Sequence, residues 1–69
     1  MLSADSAHIN WDTHKKMWTV RVKVGEEVMV RPIPKIPQSA GDDVLRSAAV
    51  ETAEADGYRV DPAKVEIEH

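Results

Sequence analysis

Met17-Trp18-Thr19-Val20-Arg21-Val22-Lys23-Val24-Gly25-Glu26-Glu27-Val28-Met29-Val30 is the stretch on which the fold turns. Apolar Trp18, Val20, Val22 and Val24 alternate with Thr19, Arg21 and Lys23. A period of two sends successive side chains to opposite faces of a strand. The stretch therefore reads as a β-hairpin with one face inside and a basic face in water. Two registers compete at its turn. A two-residue loop, Gly25-Glu26, suits a type II′ turn, which takes glycine first. It sets Val24 opposite Glu27 and Val22 opposite Met29, and it sends Val28 and Val30 to the face of Arg21 and Lys23. A three-residue loop, Gly25-Glu26-Glu27, pairs Val24 with Val28 and Val22 with Val30. A one-residue slip flips every side chain, so burial favours the register that keeps the valines together. The three-residue loop is the expectation. It leaves Arg21 opposite Arg31 on the wet face, where like charges repel unless an anion lies near.

Working outward, His8–Trp11 reads as a first strand with Ile9 and Trp11 on one side, and the polar stretch Asp12–Lys16 reads as a turn. Arg31-Pro32-Ile33-Pro34-Lys35-Ile36-Pro37 is too rich in proline for a central strand and reads as an extended connector. Ser39 is a good N-cap with Asp42 three residues on. Asp42 and Asp43 complement the positive helix end. The expected apolar stripe is Val44, Leu45, Ala48, Ala49, Thr52 and Ala55, with Gly57 as the residue that ends the helix. Tyr58–Val60 reads as extended and Asp61-Pro62-Ala63-Lys64 as a type I turn. Val65–Glu68 reads as a last strand with Val65 and Ile67 inward. The result is an α+β fold, a small three- to four-stranded sheet (β-β-β-α-β) packed on one helix. The crossover makes the last strand parallel to the third, and its expected place is beside the first. Residues 1–7 are expected to form a flexible N-terminus, with 8–69 as one α+β domain.

Bulk properties narrow the function. Sixty-nine residues with 42% apolar content support one thin core and no deep substrate cavity. The absence of cysteine excludes disulfides, thiolate chemistry and cysteine-ligated zinc. The first residues lack the basic start and apolar run of a signal peptide, and no window approaches a membrane span. A cytoplasmic location is expected. Net charge is −3, yet residues 1–37 carry six basic and four acidic groups, and residues 38–69 carry three basic and eight acidic groups. Two surfaces of different sign are expected.

The candidate binding residues are Lys15, Lys16, Arg21, Lys23 and Arg31, with Trp11 beside them as a partner anchor. Clustered cations hold phosphates and aromatics stack on bases. A three-stranded sheet backed by a helix, with the stretch Lys16-Met17-Trp18-Thr19-Val20-Arg21-Val22, is similar to DNA-reading domains of the AP2 and integrase arm-binding type. That resemblance implies strand residues entering the major groove. Glu51, Glu54, Asp56, Asp61, Glu66 and Glu68 offer an acidic docking surface, or simply a solvated one. Arg31-x-x-Pro34-x-x-Pro37 matches peptides that bind SH3 domains, but Ile33 and Ile36 are expected to point into the fold. His8, His14 and His69 lack metal-ligand spacing. Asp12 could orient the His14 imidazole, yet no nucleophile or phosphate loop accompanies the pair. No catalytic residue, metal or cofactor is expected. The leading expectation is a non-enzymatic binding module that meets a protein, or a second copy, through its sheet face or edge strand. The alternative is a nucleic-acid-binding domain using the basic hairpin face.

Overall fold

The computed structural model describes residues 2–68, so His69 lies outside the described residues. Chain order is β1 (Leu2–Ser3), β2 (Ser6–Asp12), β3 (Met17–Val24), β4 (Glu27–Ile33), α1 (Asp42–Ala55), β5 (Tyr58–Arg59), a 3-10 turn (Pro62–Lys64) and β6 (Val65–Glu68). Four strands form a mixed sheet in the order β4-β3-β2-β6, and β1 pairs with β5 in a small second sheet. The α+β architecture is as expected. β6 lies parallel to β2, the first long strand, while β2–β3 and β3–β4 are antiparallel.

The N-terminal stretch departs from expectation. Leu2–Ser3 form β1 and Ser6 and Ala7 begin β2, with Ala4 and Asp5 between them, so the stretch does not stand apart. Leu2 and Ala4 donate backbone N–H groups to the carbonyls of Gly57 (3.1 Å) and Arg59 (2.8 Å). Asp5 then reaches the hairpin: its N–H donates to Lys23 (2.8 Å), and its carboxylate accepts from the Gly25 N–H (2.8 Å).

That contact bears on the register, which also differs from expectation. Val24 pairs with Glu27, Val22 with Met29, Arg21 with Val30 and Val20 with Arg31. The loop is the two-residue one. Gly25 takes φ +61°, and Glu26 is not among the positive-φ residues, as a type II′ turn requires. The phase is decided further along the strand. Ile33 lies opposite Trp18 and is buried, and Met29 packs against the core. The three-residue loop would have turned both outward to gain Val28 and Val30. Those valines are instead 55% and 50% exposed.

The core lies between the sheet and α1. It contains Ala7, Ile9, Trp18, Val20, Val22, Ile33, Leu45, Ala49, Ala53, Val60 and Val65. Trp18 is 1% exposed, and its indole N–H donates to the Pro37 carbonyl (2.9 Å). Pro37 also accepts from the Ala40 N–H (3.1 Å), so Ser39 sits inside a turn and cannot cap the helix. Gly41 takes that place in extended geometry with no side-chain cap, and Asp42 and Asp43 fill the first turn. The buried stripe is Leu45, Ala49 and Ala53, four residues apart. Val44 and Ala55, both expected inside, are exposed. Gly57 follows the helix at φ +91°, as expected for its stop.

The Asp61 turn forms as read, with the Asp61 carboxylate accepting from the Ala63 N–H (2.9 Å). The Asp12 turn works in the same way. Its Oδ1 accepts the backbone N–H groups of His14 (2.9 Å) and Lys15 (3.1 Å). Those bonds, the Lys15 N–H first, hold the Asp12 carboxyl below its ordinary 3.8. The folded state thus prefers the ionised form. The turn's contribution is present above the unfolded-state pKa and is lost as pH falls through the lower folded value. An NMR titration of the Asp12 carboxyl carbon should give a midpoint below 3.8; a midpoint at or above it contradicts the turn.

Candidate functional site

One face of the four-stranded sheet lies on α1, and the other carries the outward residues of all four strands. Cross-strand pairing writes this outer face as rows. Glu66, His8, Arg21 and Val30 form one row across β6, β2, β3 and β4. Glu68, Asn10, Thr19 and Pro32 form the next. Ser6, Lys23 and Val28 form a third. The face is therefore graded: acidic on β6, basic on β3, apolar on β4.

The acidic side is tied to β2. His8 Nε2 lies 2.8 Å from Glu68 Oε2, and His8 Nδ1 lies 3.6 Å from Glu66 Oε2. Both glutamates are largely exposed. Of the acidic residues expected to form the other surface, Glu66 and Glu68 share this face with the cations, because β6 docks beside β2, whereas Glu51, Glu54 and Asp56 belong to α1 and its end on the other side of the sheet. This histidine–glutamate group is not visible in sequence spacing. It follows only once the last strand is placed parallel to the first, which sets His8 opposite Glu66. Among the described residues no group of His, Asp and Glu has metal-holding geometry.

The expected basic cluster separates into three places. Arg21 and Lys23 point outward from β3 and are exposed. Lys15 and Lys16 lie in the β2–β3 turn, at the Met17 end of the strand. Arg31 lies on the opposite, helix-facing side, because it pairs with Val20. There its Nε meets Asp56 Oδ2 at 3.0 Å, at the C-terminal end of α1. The Arg21–Arg31 repulsion expected from the other register does not arise. Trp11 is also on the helix side. Half-buried, it meets Trp18 edge-to-face with centroids 5.5 Å apart. It supports the core and does not stand beside the outward cations. The Asp12 carboxylate holds the His14 backbone and not its ring, so the expected imidazole orientation is absent from this turn.

What sequence reasoning placed inside, and the structure places at the surface, is the pair Val28 and Val30. They sit on β4, an outer strand of the sheet. Pro32 has no N–H, so the Thr19–Pro32 pair cannot exchange both ladder bonds. Antiparallel pairs alternate between bonded and non-bonded. Lys23–Val28 and Arg21–Val30 then fall in the non-bonded class with it. The N–H and C=O groups of Val28 and Val30 consequently face the open edge. The Val30 carbonyl agrees with this, because the Arg31 side chain reaches it through Nη1 at 2.9 Å.

No protein-family model matches the chain, and neither a curated protein nor a solved structure matches it.

Among the described residues no helix is long and apolar enough to cross a membrane.

Proposed function

We propose that the chain is a small non-enzymatic binding module that engages another protein through the β4 edge and the outer face next to it. The observation that carries this reading is the exposure of Val28 and Val30 on a strand whose outer hydrogen-bonding groups are unused by the sheet. Open edges template added strands, with main-chain bonds giving affinity and alternate side chains giving selectivity. Arg21 and Lys23 flank the valines and would steer an incoming acidic or polar segment. The reading places the module in the cytoplasm, in keeping with a chain that contains no cysteine.

Arg21 and Lys23 also favour the nucleic-acid alternative, since both project from one strand. It is the weaker reading. Arg31 turns away to Asp56, and Glu66 and Glu68 share the same face. Phosphate binding gains from several convergent cations and suffers from carboxylates nearby.

Amide spectra of the labelled chain in native cell extract, with and without nuclease, separate the two. The binding-module reading expects resonances of Val28–Arg31 to shift or broaden, helix resonances to stay, and nuclease to change nothing. Silence along β4 both in extract and as the chain's own concentration is raised, or a response confined to Arg21 and Lys23 that nuclease abolishes, overturns it.

A further inference from the structure

We propose that the partner of the β4 edge is a second copy of this chain, added antiparallel about a two-fold axis at Met29. This rests on the binding-module reading and names its occupant. Isologous pairing fixes the geometry tightly, because every contact must occur twice. Centred on Met29, each Val28 faces Val30 of the second copy, and these are the residues whose N–H and C=O groups point to the edge. Each such pair exchanges both ladder bonds. On the outer face the four valines become one apolar strip. On the helix side Glu27 faces Arg31 of the second copy, and Arg31 faces Glu27. These are non-bonded pairs, where side chains approach most closely.

Neighbouring registers lose one term or another. Centring on Val30 sets Val28 against Pro32, which cannot donate. Centring on Val28 sets Val30 against Glu26 in the turn and leaves Arg31 without an acid opposite. Only the Met29 axis satisfies hydrogen bonds, apolar contact and charge together. The other outer strand is a poor rival. Antiparallel pairing of two β6 strands would crowd Glu66 and Glu68 against their copies. Arg31 has a part in both states. In the single chain its Nη1 occupies the Val30 carbonyl on the open edge. In the pair it yields that oxygen to a Val28 N–H and turns to Glu27, keeping Asp56 beside it.

The test is sedimentation equilibrium on the full chain. The wild type is expected to show a concentration-dependent mass of two chains. Glu27→Arg places two arginine pairs across the axis, and Arg31→Glu places two glutamate pairs there. Each variant alone should associate about tenfold more weakly or worse. An equimolar mixture of the two should regain dimer, because both cross-axis pairs become opposite in charge again. Circular dichroism checks that each variant is folded. A wild type that stays at one chain's mass up to millimolar concentration overturns the proposal. So do variants that dimerise like the wild type, or folded variants whose mixture stays monomeric. If either variant fails to fold, isotope-filtered NOEs in mixed-label wild type decide. A contact between the α-protons of Glu27 and Arg31 on different chains supports the axis, and its absence overturns it. A monomeric purified chain whose β4 amides still respond in extract would end the dimer proposal alone and leave the binding module with a different partner.

Discussion

Trp18→Ala is expected to cost about 3–5 kcal/mol, the range for truncating a buried aromatic. For a chain of this size total stability is on the order of 3–10 kcal/mol. The loss therefore takes from about a third of the chain's stability to all of it. Several functions are lost together. Trp18 belongs to the same buried cluster as Leu45, Ala49 and Ala53 of α1, and it is the largest of the fully buried side chains. It stands opposite Ile33 on one side and Trp11 on the other. Its indole N–H holds Pro37, where the chain leaves β4 for the helix. Removing it empties the core and releases that connector. Trp11→Ala should cost less, since Trp11 is half-buried and its edge-to-face contact is worth about 0.5–1.5 kcal/mol beyond area. Urea unfolding followed by far-ultraviolet circular dichroism gives both values. A Trp18→Ala loss under about 1.5 kcal/mol, or one no larger than that of Trp11→Ala, contradicts the described core.

The readable and unreadable parts of this fold divide along a physical line. Alternation of Trp18, Val20 and Val22 placed one strand face inward, because three apolar residues in phase admit one solution. β4 has two phases of comparable apolar content. Val28 and Val30 compete with Met29 and Ile33, and the choice depends on what each meets across the sheet. Ile33 meets Trp18, Gly25 takes a positive φ, and Asp5 caps the turn. The last contact comes from twenty residues upstream, so local pattern could not supply it. The candidate site depends on the same register. Pattern alone groups Arg31 with Arg21, because that register sets them side by side, and one residue of slip moves Arg31 to the other face. The valines, placed in the core, became the most informative surface residues. The β6 position was legible, since a right-handed crossover leaves few places for a last strand. Its consequence, His8 between Glu66 and Glu68, required only that pairing be followed through.

The helix carries the second large prediction, and it tests the same point at a different element. Leu45→Ala should cost about 2–5 kcal/mol, whereas Val44→Ala should stay within about 0.5 kcal/mol. The two residues are adjacent, apolar and both on the stripe read from sequence. In the structure Leu45 is fully buried and Val44 is 52% exposed. The difference arises from small residues. Ala49 and Ala53 follow Leu45 at four-residue intervals and are fully buried. Small residues let a helix lie close to a sheet, and the buried line of α1 runs through 45, 49 and 53, in one cluster with Ile9, Val20 and Val22. Leu45 then becomes the one large side chain α1 contributes to the fully buried set. Alanine there leaves a cavity that neighbouring alanines cannot fill, and cavity cost rises with the volume left empty. Val44 faces solvent, so its truncation changes little beyond a slight gain in helix propensity. Thermal unfolding of both variants measures the difference directly. Equal losses at the two positions would mean that the helix is rotated from the position described, and that the sheet beneath it presents a different face.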